Sequence, residues 1–282
     1  MLMSEINIRD PFILPDGGRY YMYGTRGATC WGLANGFDVY VSDDLKTWSE
    51  PHVCFERTPD FWADRNYWAP EVHKYKGKYY MFASFKNEPD FRGTQILISD
   101  SPMGPFKPHS DGPVTPRDWS CLDGTFYVDD NGLPYMVFCH EWSQIVDGGM
   151  CVMRLSDDLT HAVGEVKTLF HASEPAWALR DAKGWVTDGP FIYKAASGRL
   201  IMIWSSGAAH GYCEALSYSD NGILGPWKHD ERLLFSNDGG HGMLFKTNEG
   251  QLTFVMHQPN KTPMERPHLI NVFERDNTLW AE

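Results

Sequence analysis

No stretch of this 282-residue chain approaches 18 consecutive apolar residues, so none of it reads as a membrane-spanning helix. The opening residues MLMSEINIRDPF lack the basic and apolar regions of a secretory signal. The expected location is therefore cytoplasmic, or extracellular if a leader was trimmed. The six cysteines (Cys30, Cys54, Cys121, Cys139, Cys151, Cys213) form no CxxC pair, which argues against a zinc or thiol-redox motif. Buried free thiols are expected, with disulfides possible if the protein is exported. Positive charge is scarce: 25 Lys and Arg face 37 Asp and Glu, for a net charge of −12. Such a surface repels phosphate backbones and anionic lipid, so nucleic acid and membrane partners are not expected. Helical periodicity is nearly absent, because Gly and Pro interrupt almost every window. No linker or charge block marks a boundary, and a single domain over residues 1–282 is expected.

Aromatic residues, in contrast, are plentiful at 14%, including 11 Trp and 13 Tyr. Flat bulky side chains suit sheet packing, and a minority of them suit sugar faces. Many fall within a repeat. Five segments share an opening, an apolar strand, a turn and an aromatic-rich strand: RDPFILPDGGRYYMYGT from Arg9, WAPEVHKYKGKYYMFAS from Trp68, LDGTFYVDDNGLPYMVF from Leu122, TDGPFIYKAASGRLIMIW from Thr187 and GHGMLFKTNEGQLTFVM from Gly240. Each reads as a β-hairpin. A later strand ends in Ser-Asp in four units, at Asp43, Asp100, Asp157 and Asp220, which follow Asp10, Ala69, Asp123 and Asp188 by 33, 31, 34 and 32 residues. The Ser-Asp-Asp steps are read as Asx-type turns between third and fourth strands. The fifth unit lacks that turn and ends in HLINVFERD, so irregular outer strands are expected there. Four strands in about 55–65 residues make a propeller blade. The fold expected is all-β, a five-bladed β-propeller.

In a propeller the first strand of every blade lines the central channel. The repeat therefore gathers Asp10, Ala69, Asp123, Asp188 and His241 at one mouth. Turn capping accounts for one aspartate but poorly for three at matching places. Crowded carboxylates raise the cost of ionising one another, and such crowding serves acid–base chemistry.

The openings RDPFI, LDGTFYVDDNG and TDGPFIY, with WAPEV between them, resemble glycoside hydrolase family 43 over essentially the whole chain. The resemblance implies a glycosidase in which Asp10 matches the general base and Asp123 the residue that orients and tunes. Asp188 matches the general acid, which in the family is the Glu of an E-G-P motif. An Asp carboxyl lies one methylene, roughly 1.5 Å, closer to its backbone, so Glu141 and Glu174 are alternative proton donors. Glu141 reads first as a ligand of substrate hydroxyls and Glu174 as a loop residue. The implied mechanism is inversion, with carboxyl groups roughly 6.5–9.5 Å apart to admit a water. Asp10 is expected ionised and Asp188 protonated.

His241 resembles the family's channel histidine, which implies a hydrated calcium ion; a histidine bonding across the channel is the plainer alternative. No organic cofactor is expected. Arg266 can point back into the pocket or lie on the surface. Trp31, Trp68 and Trp177 can stack on sugars or pack. His73, Lys74 and Lys76 read as a solvated strand and turn. The segments 29–37 and 57–67 are expected to wall the pocket.

The implied substrates are oligo- or polysaccharides of hemicellulose type, cut at terminal α-L-arabinofuranosyl or β-D-xylosyl units. Exo-β-galactosidase or endo-arabinanase action is a variant. A non-catalytic carbohydrate-binding propeller is a rival from another class, and a sugar transferase or phosphorylase ranks behind both.

Overall fold

The computed structural model describes residues 1–88, 91–181 and 183–282, except for the side chain of Phe91. Its strands form five antiparallel four-stranded sheets, each built from consecutive segments. Blade one comprises β1 (Ile8–Asp16), β2 (Arg19–Arg26), β3 (Gly36–Ser42) and β4 (His52–Glu56). Blade two comprises β5 (Arg65–Tyr75), β6 (Lys78–Asn87), β7 (Phe91–Ser99) and β8 (Lys107–Pro108). Blade three comprises β9 (Cys121–Val128), β10 (Pro134–His140), β11 (Gly149–Leu155) and β12 (Ala162–His171). Blade four comprises β13 (Asp188–Lys194), β14 (Leu200–Ala208), β15 (Gly211–Ser219) and β16 (Lys228–Phe235). Blade five comprises β17 (Gly240–Lys246), β18 (Leu252–Gln258), β19 (Arg266–Arg275) and β20 (Thr278–Ala281). The fold is the expected five-bladed β-propeller.

The packing follows from the period of two along a strand. In β14, Leu200, Met202 and Trp204 enter the apolar layer shared with blade three. The alternating Ile201 and Ile203 enter the layer shared with blade five. In β10, Tyr135, Val137 and Cys139 face blade four, while Met136 and Phe138 face blade two. The middle strands are thus apolar on both faces. Fully burying one such side chain contributes roughly 1.5–3 kcal/mol.

Blade closure is made by side chains, since each sheet keeps its own strands. Asn7 Nδ2 donates to the carbonyls of Pro263 and Glu265 at 3.0 and 2.9 Å. Arg9 pairs with the buried Glu265 at 2.6 Å, and Arg266 Nε donates to the Ser4 carbonyl at 2.9 Å.

One detail agrees with the sequence reading and is sharper than it, and one differs: the Ser-Asp-Asp steps are Asx-type turns, and the outer strands of blade five are regular. In the Ser-Asp turns the serine hydroxyl caps the backbone, as where the Leu45 amide donates to Ser42 Oγ at 2.9 Å. In blades one and three the second aspartate assists: Asp44 accepts from the amides of Lys46 and Thr47, and Asp158 from that of Thr160. Asp43, Asp100 and Asp220 instead reach outward to Arg19, Lys78 and Arg199. The outer strands of blade five are regular, because Asp276 and Asn277 both take positive φ and form a two-residue hairpin turn.

Candidate active site

The inner strands β1, β5, β13 and β17 lose register after Arg9, Trp68, Asp188 and Gly240. In β9 the pairs Leu122↔Cys139 and Thr125↔Val137 bracket the same irregularity. The next residue is left-handed in all five blades: Asp10, Ala69, Asp123, Gly189 and His241, with φ of 53°, 46°, 57°, 50° and 50°. Asp188 is therefore level with Arg9, Trp68 and Leu122, one residue before the position of Asp10 and Asp123. This corrects the repeat alignment. A bulge turns consecutive side chains in new directions. Arg9, Trp68, Leu122 and Asp188 consequently line the outer groove, which Asp10, Asp123 and His241 do not reach.

The left-handed residues are tied from blade to blade. The amide of Ala69 donates to Thr25 Oγ1 and that of Asp123 to Ser84 Oγ, both at 2.8 Å. The amide of His241 donates to Ser205 Oγ at 2.7 Å and that of Asp10 to His257 Nδ1 at 3.2 Å. Each acceptor is the second-strand residue paired with the start of its own blade's bulge. Blade three carries Cys139 at that place, and the Gly189 amide bonds Asp123 Oδ2 instead, at 3.1 Å. Glycine is required at 189, because a Cβ there would lie 2.7 Å from His241 Cδ2.

These ties give the three carboxyl groups different environments. Asp10 is buried and accepts from Thr25 Oγ1 at 2.6 Å, with its other oxygen 3.3 Å from His241 Nδ1. Burial alone would raise its pKa, but His241 and Arg9, with the Thr25 hydroxyl, outweigh that and hold it below the usual aspartate value. Asp123 is raised by burial and by the negative charge of Asp188 and Asp10. Asp188 is raised by burial and by Asp10 and Glu141, against a Tyr212 hydroxyl that donates to Oδ2 at 3.0 Å. His241 is pushed up to about 9 because four surrounding carboxyl groups overcome its burial. His257 accepts the Asp10 amide, which leaves its proton on Nε2, and burial pushes it down to about 4. Beneath them Glu214 on β15 is fully buried and pushed up to about 8 by burial; it accepts the Gly242 amide at 2.7 Å.

The carboxyl groups meet in a well of about 70 Å³ lined by Asp10, Asp123, Asp188, His241 and Tyr212. The well opens into a groove of about 560 Å³. One wall is a stack. The Arg92 guanidinium lies 3.6 Å from the Trp68 ring centre, Trp31 meets Trp68 edge-on at 5.3 Å, and Arg9 covers Trp31 at 5.2 Å. Trp31 Nε1 donates to Thr262 Oγ1 at 2.9 Å, joining a blade-one loop to a blade-five loop.

Of the residues singled out by sequence, Asp10, Asp123, Asp188, His241, Trp31, Trp68 and Glu141 converge here. Glu141 accepts from Arg92 Nε at 3.2 Å and from Ser120 Oγ at 2.7 Å. Arg266 does not reach the site; its guanidinium is spent on the carbonyls of Ser4, Pro263 and Glu265. Trp177 packs on Trp204 at 5.3 Å and donates to the Asp230 carbonyl, away from the groove. Glu174 caps the His171 amide in a loop. His73 is not solvated: it pairs with Glu71 at 2.9 Å and packs on Phe12 at 5.0 Å. Of the two expected wall segments, 29–37 supplies Trp31, while Thr58–Trp62 of the other lines a separate cavity. All six cysteines are buried and unpaired.

The donor set does not fit a directly ligated calcium ion. Among the described residues no group of three or more His, Cys, Asp and Glu side chains is arranged to hold a metal. His241 Nδ1 is turned onto the carboxylates of Asp10 and Asp123, at 3.3 and 3.8 Å.

Carboxyl groups held in different environments around one well are the arrangement that acid–base cleavage of a glycosidic bond uses. The chain belongs to glycosyl hydrolases family 43, whose model matches residues 3–279. It is 30% identical over 258 residues to a xylosidase/arabinosidase of Bacteroides ovatus, covering 80% of this chain and 77% of that one. Over 150 residues it is 25% identical to the extracellular endo-α-(1→5)-L-arabinanase 1 of Bacillus subtilis (strain 168), covering 49% and 45% of the two chains. The crystal structure of an endo-arabinase from Bacteroides thetaiotaomicron VPI-5482 superposes with a TM-score of 0.91 at 39% identity, covering 99% and 98%.

Proposed function

We propose that this glycoside hydrolase releases terminal α-L-arabinofuranosyl or β-D-xylosyl units by inversion. The observation that carries the chemistry is the different setting of two carboxyl groups in one well: Asp10 accepts from Thr25 Oγ1 at 2.6 Å and lies 3.3 Å from His241 Nδ1, while Asp188 accepts from the Tyr212 hydroxyl at 3.0 Å, which agrees with a lowered Asp10 and a raised Asp188. Asp10, ionised between Thr25 and His241, takes a proton from water as that water attacks the anomeric carbon. Asp188, protonated and steered by Tyr212, delivers a proton to the departing oxygen. Asp123, held by the Gly189 amide, keeps the Asp10–His241–Asp188 set in register. Glu141, engaged by Arg92 and Ser120, meets substrate hydroxyls.

Terminal action is supported by the Trp31–Thr262 bridge, which joins the loops of blades one and five across one side of the groove. Internal cleavage of arabinan is the second reading, favoured by the 39% identity to a chain described as an endo-arabinase. The names of the relatives, xylosidase/arabinosidase and endo-arabinase, support the pentose class.

The test is hydrolysis of aryl glycosides and oligosaccharides of arabinofuranose, xylose and galactose by wild type and Asp10→Asn. Release of single pentose units by wild type alone is expected. Internal fragments from linear arabinan would favour the endo reading, galactose release would displace the sugar, and binding without turnover would favour a lectin.

A further inference from the structure

Glu265, fully buried in the loop between β18 and β19, joins blade five to blade one twice over. Its backbone carbonyl accepts from Asn7 Nδ2 at 2.9 Å, and its side chain pairs with Arg9 at 2.6 Å. Burying a carboxylate is costly, and the backbone contact needs no charge there. The partners of the side chain show what the charge serves.

One oxygen, Oε1, takes both of its bonds: Arg9 Nη1 and Thr262 Oγ1 each donate to it at 2.6 Å. Both donors hold Trp31. Thr262 Oγ1 accepts the indole N–H at 2.9 Å, and the Arg9 guanidinium lies 5.2 Å from the ring centre. Trp31 lines the well and the groove and is still 61% exposed, so its ring meets whatever fills them.

The bonds have a fixed direction. Thr262 gives its only hydroxyl proton to Glu265 and therefore accepts from Trp31. Arg9 Nη2 donates to Asn260 Oδ1 at 2.7 Å. The same oxygen accepts from His257 Nε2 at 3.3 Å, while His257 Nδ1 takes the Asp10 amide. A continuous set of hydrogen bonds thus runs from an exposed indole to the backbone of Asp10, and Glu265 stands where its two arms meet. We propose that Glu265 is a positioning residue for the reaction, which fixes Trp31 and Arg9 as one rigid edge of the site and so sets the sugar's distance from Asp10. The proposal rests on the reading of the groove as the sugar site. Such positioning by groups remote from the reacting atoms is what brings a substrate to attack distance.

Thr262→Val keeps the side chain's shape and removes its hydroxyl, so Trp31 loses its acceptor while Arg9 keeps Glu265. KM on a pentose oligosaccharide is expected to rise about fivefold, the loss of one hydrogen bond, and Thr262→Ser to restore it. Glu265→Gln takes the charge from both arms. It is expected to raise KM at least as much and to lower kcat as well, because Arg9 lines the well beside Asp10. In a Trp31→Phe background no indole N–H remains, and Thr262→Val is expected to add nothing. A purely structural threonine would cost the same in both backgrounds.

Trp31 also reports without substrate. In protein labelled with 5-fluorotryptophan, the fluorine resonance missing from Trp31→Phe is expected to shift and broaden in Thr262→Val and in Glu265→Gln. An unmoved resonance in both variants, or a rise in KM that persists in Trp31→Phe, overturns the proposal whatever the enzyme hydrolyses. A moved resonance with no turnover of any glycoside leaves Glu265 as the residue that fixes Trp31 and removes the hydrolase reading.

Discussion

The amide of Gly189 donates to Asp123 Oδ2 at 3.1 Å, across the boundary between blades three and four. At the other four boundaries the corresponding amide is taken by Thr25, Ser84, Ser205 or His257. Cys139 occupies that place in blade three, and a thiol is a weak acceptor. The carboxyl of Asp123 takes the amide instead.

Cys139→Ser is therefore expected to place a hydroxyl where Ser84 and Ser205 act in their own blades, and to compete for the Gly189 amide. Asp123 then loses a bond that favours its charged form and stays protonated to higher pH. A bond of about 1 kcal/mol corresponds to a several-fold fall in kcat. The pH profile should change at an unaltered Tm. An identical profile would remove Cys139 from the site's organisation.

Asp188→Ala separates the acid role from binding. If Asp188 protonates the leaving oxygen, turnover of an alkyl glycoside should fall about 10²–10⁴-fold. A dinitrophenyl glycoside, whose leaving group needs no proton, should lose far less. An equal loss on both would reassign the proton donor, with Glu141 the first residue to examine.

His241→Gln removes the cation that holds Asp10 low. The pKa of Asp10 then rises, so the acid limb of the kcat/KM profile moves to higher pH. Because the site's own imidazolium supplies that charge, exhaustive chelation of the wild type should leave its activity unchanged. A chelator-sensitive enzyme restored by calcium would contradict this assignment.

Burial pushes the Glu214 carboxyl up to about 8 in the fold, from an ordinary 4.5. The unfolded chain binds fewer protons there between those values, so wild-type stability falls as pH rises through that window. Glu214→Gln keeps the neutral shape and has no such dependence. Its Tm advantage over wild type should grow from pH 5 to pH 8, and a constant difference would show Glu214 ionised in the fold.

The blades were legible because hairpin turns and two-fold periodicity are local properties. The three aspartates were legible because the repeat brings blade openings to one mouth. The one-residue offset of Asp188 was not, since Asp, Ala, Gly and His all occupy the left-handed bulge position and no residue type marks it. Arg92, Tyr212 and Glu214 come from third strands, whose approach to the site is set by sheet pairing. Arg266 and Trp177 stay undecided in the sequence because loop direction chooses their partners: the first closes the ring, and the second packs between blades.

The central claim is that Asp10 activates a water on the face opposite the leaving group. Proton NMR of the first-formed sugar, recorded before mutarotation, tests it directly. The account predicts product of inverted anomeric configuration, with turnover abolished in Asp10→Asn. First-formed product of retained configuration would make Asp10 a nucleophile and contradict the account.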